Sequence, residues 1–392
     1  VKVIYFDNNA TTRVADEVFE EMLPYFSELY GNPSSIHAFG SRVHNKLEVA
    51  RERVADLLGA NDPSEILFTS CGTESNNNAI KGTLEAFPDK KHIITTKVEH
   101  PAVLNLCKHL SEEGYQLTEL GVDRDGMLDL DELKNALRDD TAIVSIMYAN
   151  NETGVIFPIE EIGEIVKERG ITFHCDAVQA VGKVSIDLRN SPFDLLSLSG
   201  HKLHAPKGVG ALYIRKGVKL KPLIIGGHHE QGRRAGTENV PAIVGLGKAC
   251  ELAKKHMVEE HTKVGKLRDT LENGLLSRLT NVRVNGHKTN RLLNTSNMNF
   301  EYIEGEAILL YLSEMGVAAS SGSACTSGSA EPSHVLTAMG IPPAAHGSVR
   351  FSLSRYNTLD EVEYVLEKVP PIIERLREMS PFGKEIVNQA KG

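Results

Sequence analysis

The 392-residue chain has no run approaching the roughly 18 consecutive apolar residues of a membrane-spanning helix. It has no basic excess: 43 Lys and Arg stand against 52 Asp and Glu, a net charge of −9. Nucleic-acid binders usually carry a basic surplus or stripe, and polybasic membrane anchors a cluster of like charge. Cysteine is sparse. Cys71, Cys107, Cys175, Cys250 and Cys325 are odd in number, widely spaced and form no CxxC pair, which argues against a disulfide framework and a zinc knuckle. The segment Val1 to Phe6 lacks the longer apolar region and small-residue cleavage site of a signal peptide. These absences predict a soluble, cytoplasmic protein with neither a nucleic-acid nor a membrane partner.

What is present is ordinary globular material, 41% hydrophobic and 24% charged. The length predicts two or three domains at about 150 residues each. Apolar periodicity predicts helices over Val14 to Tyr30, Ser41 to Leu58, Glu74 to Phe87, Pro101 to Glu112 and Ile159 to Glu168. Short β-rich runs at Glu65–Thr69, His92–Thr96, Thr141–Met147, Ile171–Cys175, Leu195–Leu198 and Val209–Ile214 alternate with them. Such alternation predicts an α/β fold with a mainly parallel sheet, its ligands beyond the carboxyl ends of the strands. The pattern changes near residue 240. A long helix Val240–Arg278, strands at Asn294–Phe300 and Ser348–Leu353, and helices at Glu304–Met315 and Leu359–Arg377 predict a smaller α+β domain. The expected division is 13–255 for the large domain, with 1–12 and 256–392 forming the small one. Residues 318–330, AASSGSACTSGSA, lack large apolar groups and predict a mobile arm around Cys325.

Three apparent motifs carry less than they suggest. Gly121–Glu132 follows a calcium-loop spacing at Asp123, Asp125, Gly126 and Glu132, but glycine occupies the first ligand position. A turn with Asp129 or Asp131 near a helix start is the better reading. Adjacent His228, His229 and Glu230 read as a polar loop rather than a metal site. Gly208-Val-Gly210 leads into a strand, unlike a dinucleotide fingerprint.

The chemistry gathers at strand ends. Lys202 follows the apolar run Leu195–Leu198 in Ser199-Gly200-His201-Lys202. In isolation it reads as a surface lysine, but an amine there suits Schiff-base chemistry with an aldehyde cofactor. Pyridoxal phosphate needs an acidic partner for its ring nitrogen, and Asp176 ends the strand ITFHCD. It also needs a phosphate cradle. Cys71-Gly72-Thr73-Glu74-Ser75 links a strand to a helix and offers N–H groups at a positive helix end. Ser199 and His201 add donors. Lys202, Asp176 and Thr73 are expected to line one cavity.

These residues belong to a longer series: YFDNNATT at 5–12, GNPSSIH at 31–37, TSCGTESNN at 69–77, VEHPAV at 98–103, NNETG at 150–154, DAVQA at 176–180, SGHK at 199–202, RRAGTEN at 233–239, SSGSACTSG at 320–328 and RFSLSR at 350–355. Along nearly its whole length the chain resembles the cysteine desulfurases of the NifS/IscS group, in the class V aminotransferase family of fold-type I pyridoxal phosphate enzymes. The resemblance implies a catalytic set of Lys202 as the Schiff-base lysine, His100 stacking on the ring and moving protons, and Cys325 as the persulfide-forming nucleophile. It implies cofactor contacts from Gly72, Thr73, Asn151, Asp176, Gln179, Ser199 and His201, and from Thr237 reaching across a homodimer. Asn151 and Arg355 are implied as substrate-binding residues. The implied reaction takes L-cysteine to L-alanine and a persulfide on Cys325, with an iron–sulfur scaffold protein as acceptor and no metal of its own. Selenocysteine lyase, another fold-type I reaction and a non-catalytic sulfur-assembly partner are the alternatives. Cys175, immediately before Asp176, departs from the family pattern, and the other cysteines read as buried or incidental thiols.

Overall fold

In the computed structural model, which describes residues 3–321, 333–342 and 347–380, seven strands form one sheet. Their spatial order is Ile66–Thr69, Gly210–Ile214, Leu195–Ser199, Thr172–Asp176, Thr141–Ser145, His92–Thr96 and Gln116–Leu120. Gly210–Ile214 runs against both of its neighbours, and every other adjacent pair is parallel. Strands such as TAIVS and LLSLS are buried along their whole length, as expected where helices cover both faces. The fold is therefore α/β with a large, mostly parallel mixed sheet, as the alternation predicts.

Several elements differ from the sequence reading. The helix expected over 14–30 is two short pieces, Asp16–Met22 and Pro24–Ser27. Pro24 has no N–H to continue the ladder and starts a new turn instead. The strand Gln116–Leu120 sits at the sheet edge with only Leu120 buried, so its side chains show little apolar signature. Asp129 caps the helix Leu130–Ala136 by accepting from the N–H of Asp131 at 2.8 Å. In the calcium-like loop, Asp123 spends its carboxylate on the N–H groups of Asp125 and Met127.

A second sheet of three antiparallel strands follows, in the order Ser348–Ser352, Thr295–Phe300, Val282–Asn285. It has its own core, including Phe6, Leu271, Met298, Phe351 and Val365. The N-terminal strand Ile4–Tyr5 pairs with Val317–Ala318 beside it. Residues just after that strand then reach the large sheet, where the N–H of Thr12 donates to the carbonyl of His201 at 2.9 Å. The 39-residue helix Val240–Arg278 joins the two cores. At Gly247 it lies so close to the helix Ala38–Leu58 that a Cβ would stand 2.6 Å from Ala50 Cα.

Candidate active site

The helix Gly72–Ala86 begins three residues after the strand Ile66–Thr69, with Cys71 as its N-cap. Its first N–H groups have no intrahelical acceptor. Gly72 permits a close approach there, since a Cβ would lie 2.8 Å from Val178 Cγ2 and 3.4 Å from Ser199 Cβ. Ser199 ends its strand, and its buried hydroxyl has no hydrogen-bond partner among the described residues. Thr73 is exposed in the first turn of the helix. An anion acceptor such as a phosphate group fits this set: an open helix start, an unsatisfied hydroxyl and space that only glycine leaves.

Asp176 ends the neighbouring strand, 5% exposed. Its Oδ2 accepts from Asn76 Nδ2 at 2.7 Å and its Oδ1 from the N–H of Val178 at 3.0 Å. His100 caps the helix Pro101–Glu112, with Nδ1 accepting from the N–H of Ala102 at 3.1 Å. Burial pushes the His100 imidazole down from its ordinary pKa. The Asp176 carboxylate opposes that, while Lys202 and His334 add to it. His100, Asp176 and Lys202 therefore share one electrostatic neighbourhood. Glu99, beside His100, is completely buried and pushed up to about 8 by that burial. Its Oε1 accepts from Thr96 and from the N–H of Met147.

Lys202 directs its Nζ at the carbonyl oxygens of Asn9, 2.5 Å away, and Ala10, 2.7 Å away. The same Asn9 oxygen accepts from Gln179 Nε2 at 3.0 Å. His201 lies 3.1 Å through Nδ1 from the Thr11 hydroxyl, and burial pushes its imidazole down to about 4, with Lys202 adding to the shift. Lys202 lines a narrow pocket together with Thr12, Lys183, His204, Glu260 and Arg355. Asp176 and Thr73 lie outside that lining. The Asn9 and Ala10 carbonyls hold the amine at this pocket, and the same amine acts together with Asp176 on the His100 imidazole.

Arg355 donates from Nη1 to Glu260 Oε1 at 2.5 Å and stacks its guanidinium 5.1 Å from the Tyr356 ring centroid. The main-chain oxygen of Asn151 accepts from Asn9 Nδ2 and from Arg350 Nη1. Thr237 is exposed on the loop before the long helix. That loop is tied to the helix Gly72–Ala86 by Arg234, whose Nε is 2.9 Å from Glu74 Oε1. Cys325 lies outside the described residues. Among the other thiols, burial raises Cys175 well above the ordinary range and Cys107 and Cys250 to about 12. All three are held as unreactive thiols.

Sequence reasoning assigned no role to Asn9, Asn76, Glu99, Lys183 or Glu260. Asn9, Asn76 and Glu99 stand inside the quoted motifs DNNATT, TSCGTESNN and VEHPAV, which is the only signal that pointed to them. Among the described residues, no group of three or more His, Cys, Asp or Glu is placed to hold a metal ion. No helix is long and apolar enough to cross a membrane, among the residues described.

The chain matches the family of class-V aminotransferases over residues 4–365. It is 60% identical to Cysteine desulfurase 2 of Trichormus variabilis over all of this chain and 98% of that protein. It is 59% identical to Cysteine desulfurase NifS of Azotobacter vinelandii, covering 97% of this chain and 94% of that one. A solved structure of a NifS-like protein superposes with a TM-score of 0.90 at 43% identity, covering 96% of this chain and all of that one.

Proposed function

We propose, from the premise that this chain belongs to the class-V aminotransferase family, that it is a pyridoxal-phosphate-dependent cysteine desulfurase. It converts L-cysteine to L-alanine and carries the sulfur as a persulfide on Cys325, for delivery to an iron–sulfur scaffold protein. The observation that carries this reading is the shared electrostatic neighbourhood of Lys202, His100 and Asp176, each at or just beyond a strand's carboxyl end, in a chain so close throughout to named cysteine desulfurases.

Pyridoxal phosphate, when bound, supplies an aldehyde for an amine and a ring that withdraws electrons from the substrate's α-carbon. Gly72, Thr73, Ser199 and His201 would hold its phosphate, with Thr237 of a second copy completing the cradle in a homodimer. Asp176, fixed by Asn76 and the Val178 N–H, would keep a proton on the ring nitrogen. Gln179 would donate to the phenolic oxygen, and Asn151 would help seat both cofactor and substrate.

The remaining steps belong to the chain's own groups. Arg355 binds the substrate carboxylate through its planar fork of donors. Lys202 would take and return the α-proton at Nζ. His100 accepts at Nδ1 from Ala102, so its neutral ring carries a proton on Nε2, available for transfer. Its lowered pKa favours that neutral form at physiological pH. The Cys325 thiolate attacks the substrate sulfur, the sulfur–sulfur bond forms as the carbon–sulfur bond breaks, and the electron pair stays on the β-carbon, which takes a proton and leaves as the methyl group of alanine.

The test is mass analysis after incubation with L-cysteine and pyridoxal phosphate. A gain of about 32 daltons, one sulfur, is expected on the peptide containing Cys325. C325S is expected to lose alanine and sulfide production. Undiminished alanine formation in C325S would instead point to another fold-type I reaction. A non-catalytic sulfur-assembly partner would take up no cofactor at all.

A further inference from the structure

Lys183 stands one turn beyond Gln179 and donates from Nζ to the Gln179 side-chain oxygen at 3.1 Å and to its main-chain oxygen at 3.0 Å. The other end of the same amide donates from Nε2 to the Asn9 carbonyl, the oxygen that also receives Lys202 Nζ. These partners allow only one orientation of the Gln179 amide. An ammonium can only donate and a carbonyl oxygen can only accept. A flipped amide would set NH2 against NH3+ and oxygen against oxygen. The second Nε2 hydrogen has no partner among the described residues.

Lys183 also lines the cavity that Lys202 lines. The groups facing it come from three elements. Lys202 and His204 follow the strand Leu195–Ser199, Glu260 and His261 come from the long helix, and Arg350 and Arg355 come from the strand Ser348–Ser352 and the turn after it. Glu260 is the carboxylate of this group, and Arg355 already engages it. The local field is thus cationic. Burial, with Lys202 second, pushes the Lys183 ammonium down to about 7, and Glu260 opposes the shift.

We infer that Lys183 is a positioning residue, fixing the Gln179 amide so that it offers only N–H donors on the Lys202 side and adding positive charge beside the Lys202 amine. The inference rests on the cofactor reading above and deepens it, since Gln179 is the group proposed to meet the phenolic oxygen. A donor at that oxygen and a cation beside the amine both favour the deprotonated form of the bound chromophore. Removing Lys183 therefore lets the chromophore keep its proton to higher pH, over the range up to about pH 7 in which Lys183 itself carries charge.

The experiment is a pH titration of the visible absorbance of the reconstituted protein without substrate. K183M is expected to move the midpoint upward by roughly one pH unit, a tenfold gain in proton affinity. K183R, which keeps charge and donors, is expected to hold the parental midpoint. Should K183M fail to fold, K183Q serves in its place, with a charge lost but the chain length nearly kept. An unshifted midpoint in the charge-free variant, or a K183R shifted as far as K183M, overturns the inference. A parent protein that gains no visible band on reconstitution would instead overturn the cofactor reading.

Discussion

Glu260 Oε1 lies 2.5 Å from Nη1 of Arg355, so the guanidinium assigned to the substrate carboxylate already holds an internal one. On the proposed assignment the two carboxylates compete for one set of donors. Charge-assisted hydrogen bonds are worth about 1.5–3 kcal/mol. R355A is therefore expected to raise KM for L-cysteine by roughly tenfold to a hundredfold. E260Q removes the competitor and is expected to lower KM, with kcat changed less. Steady-state alanine formation checks both, and a raised KM in E260Q would contradict the competition.

Asn76 stands one step behind Asp176, the residue proposed to meet the cofactor's ring nitrogen. Its Nδ2 donates to Asp176 at 2.7 Å in a buried setting. N76A takes away that donor and leaves the carboxylate less firmly placed. Cofactor affinity is expected to fall by roughly tenfold, the equivalent of about 1.4 kcal/mol. Equilibrium dialysis against pyridoxal phosphate measures this directly, and unaltered retention would remove Asn76 from the site.

Stability rests partly on an ion pair on the opposite edge of the sheet from Gln116–Leu120. Arg51 meets Glu230 through both of its terminal nitrogens at 2.8 Å, and Glu230 Oε2 also accepts from the N–H of Phe68 at 3.0 Å. Both side chains are buried. E230A leaves the buried guanidinium beside the strand Ile66–Thr69 with only the half-exposed Glu48 carboxylate at 3.3 Å and the Ile66 carbonyl, and is expected to cost about 3 kcal/mol, the lower end for a broken buried pair. Urea denaturation reads this out. A loss within experimental error would mean that water reaches Arg51.

His174 gives the chain a pH dependence of known sign. It is fully buried, bridging Ser145 through Nδ1 at 2.8 Å and Ser197 through Nε2 at 2.9 Å. Burial pushes its pKa from 6.5 down to about 3. Between those values the unfolded chain binds a proton that the folded chain refuses. This group's contribution is therefore complete above pH 6.5 and declines as the pH falls toward 3, by about 1.4 kcal/mol per unit. Denaturation midpoints taken from pH 6.5 to pH 5 are expected to fall more steeply in the parent than in H174Q. Parallel slopes would show that His174 charges without unfolding the chain.

Much of the fold is legible wherever one face or one whole strand is apolar. Pro101–Glu112 and Ile159–Glu168 have the bounds that periodicity predicts, and so does the strand His92–Thr96. The edge strand Gln116–Leu120 and the strand Val282–Asn285 expose much of their side-chain surface and carry little apolar pattern to read. Within the site, Lys202 and Asp176 are visible because each closes an apolar run. Asn9 is not, because its acting atom is a main-chain carbonyl that every residue possesses. Glu260 is not, because its partner is 95 positions away and nothing local marks a long-range ion pair.

The helix Val240–Arg278 is about 58 Å long at 1.5 Å per residue. Its early turns are wedged against Ala50, and later on a Cβ at Gly274 would lie 2.5 Å from Leu366. One rod thus serves as a wall for both hydrophobic interiors. Neither half can melt alone without stripping apolar surface from a shared support, so heat is expected to take the two apart in a single cooperative transition.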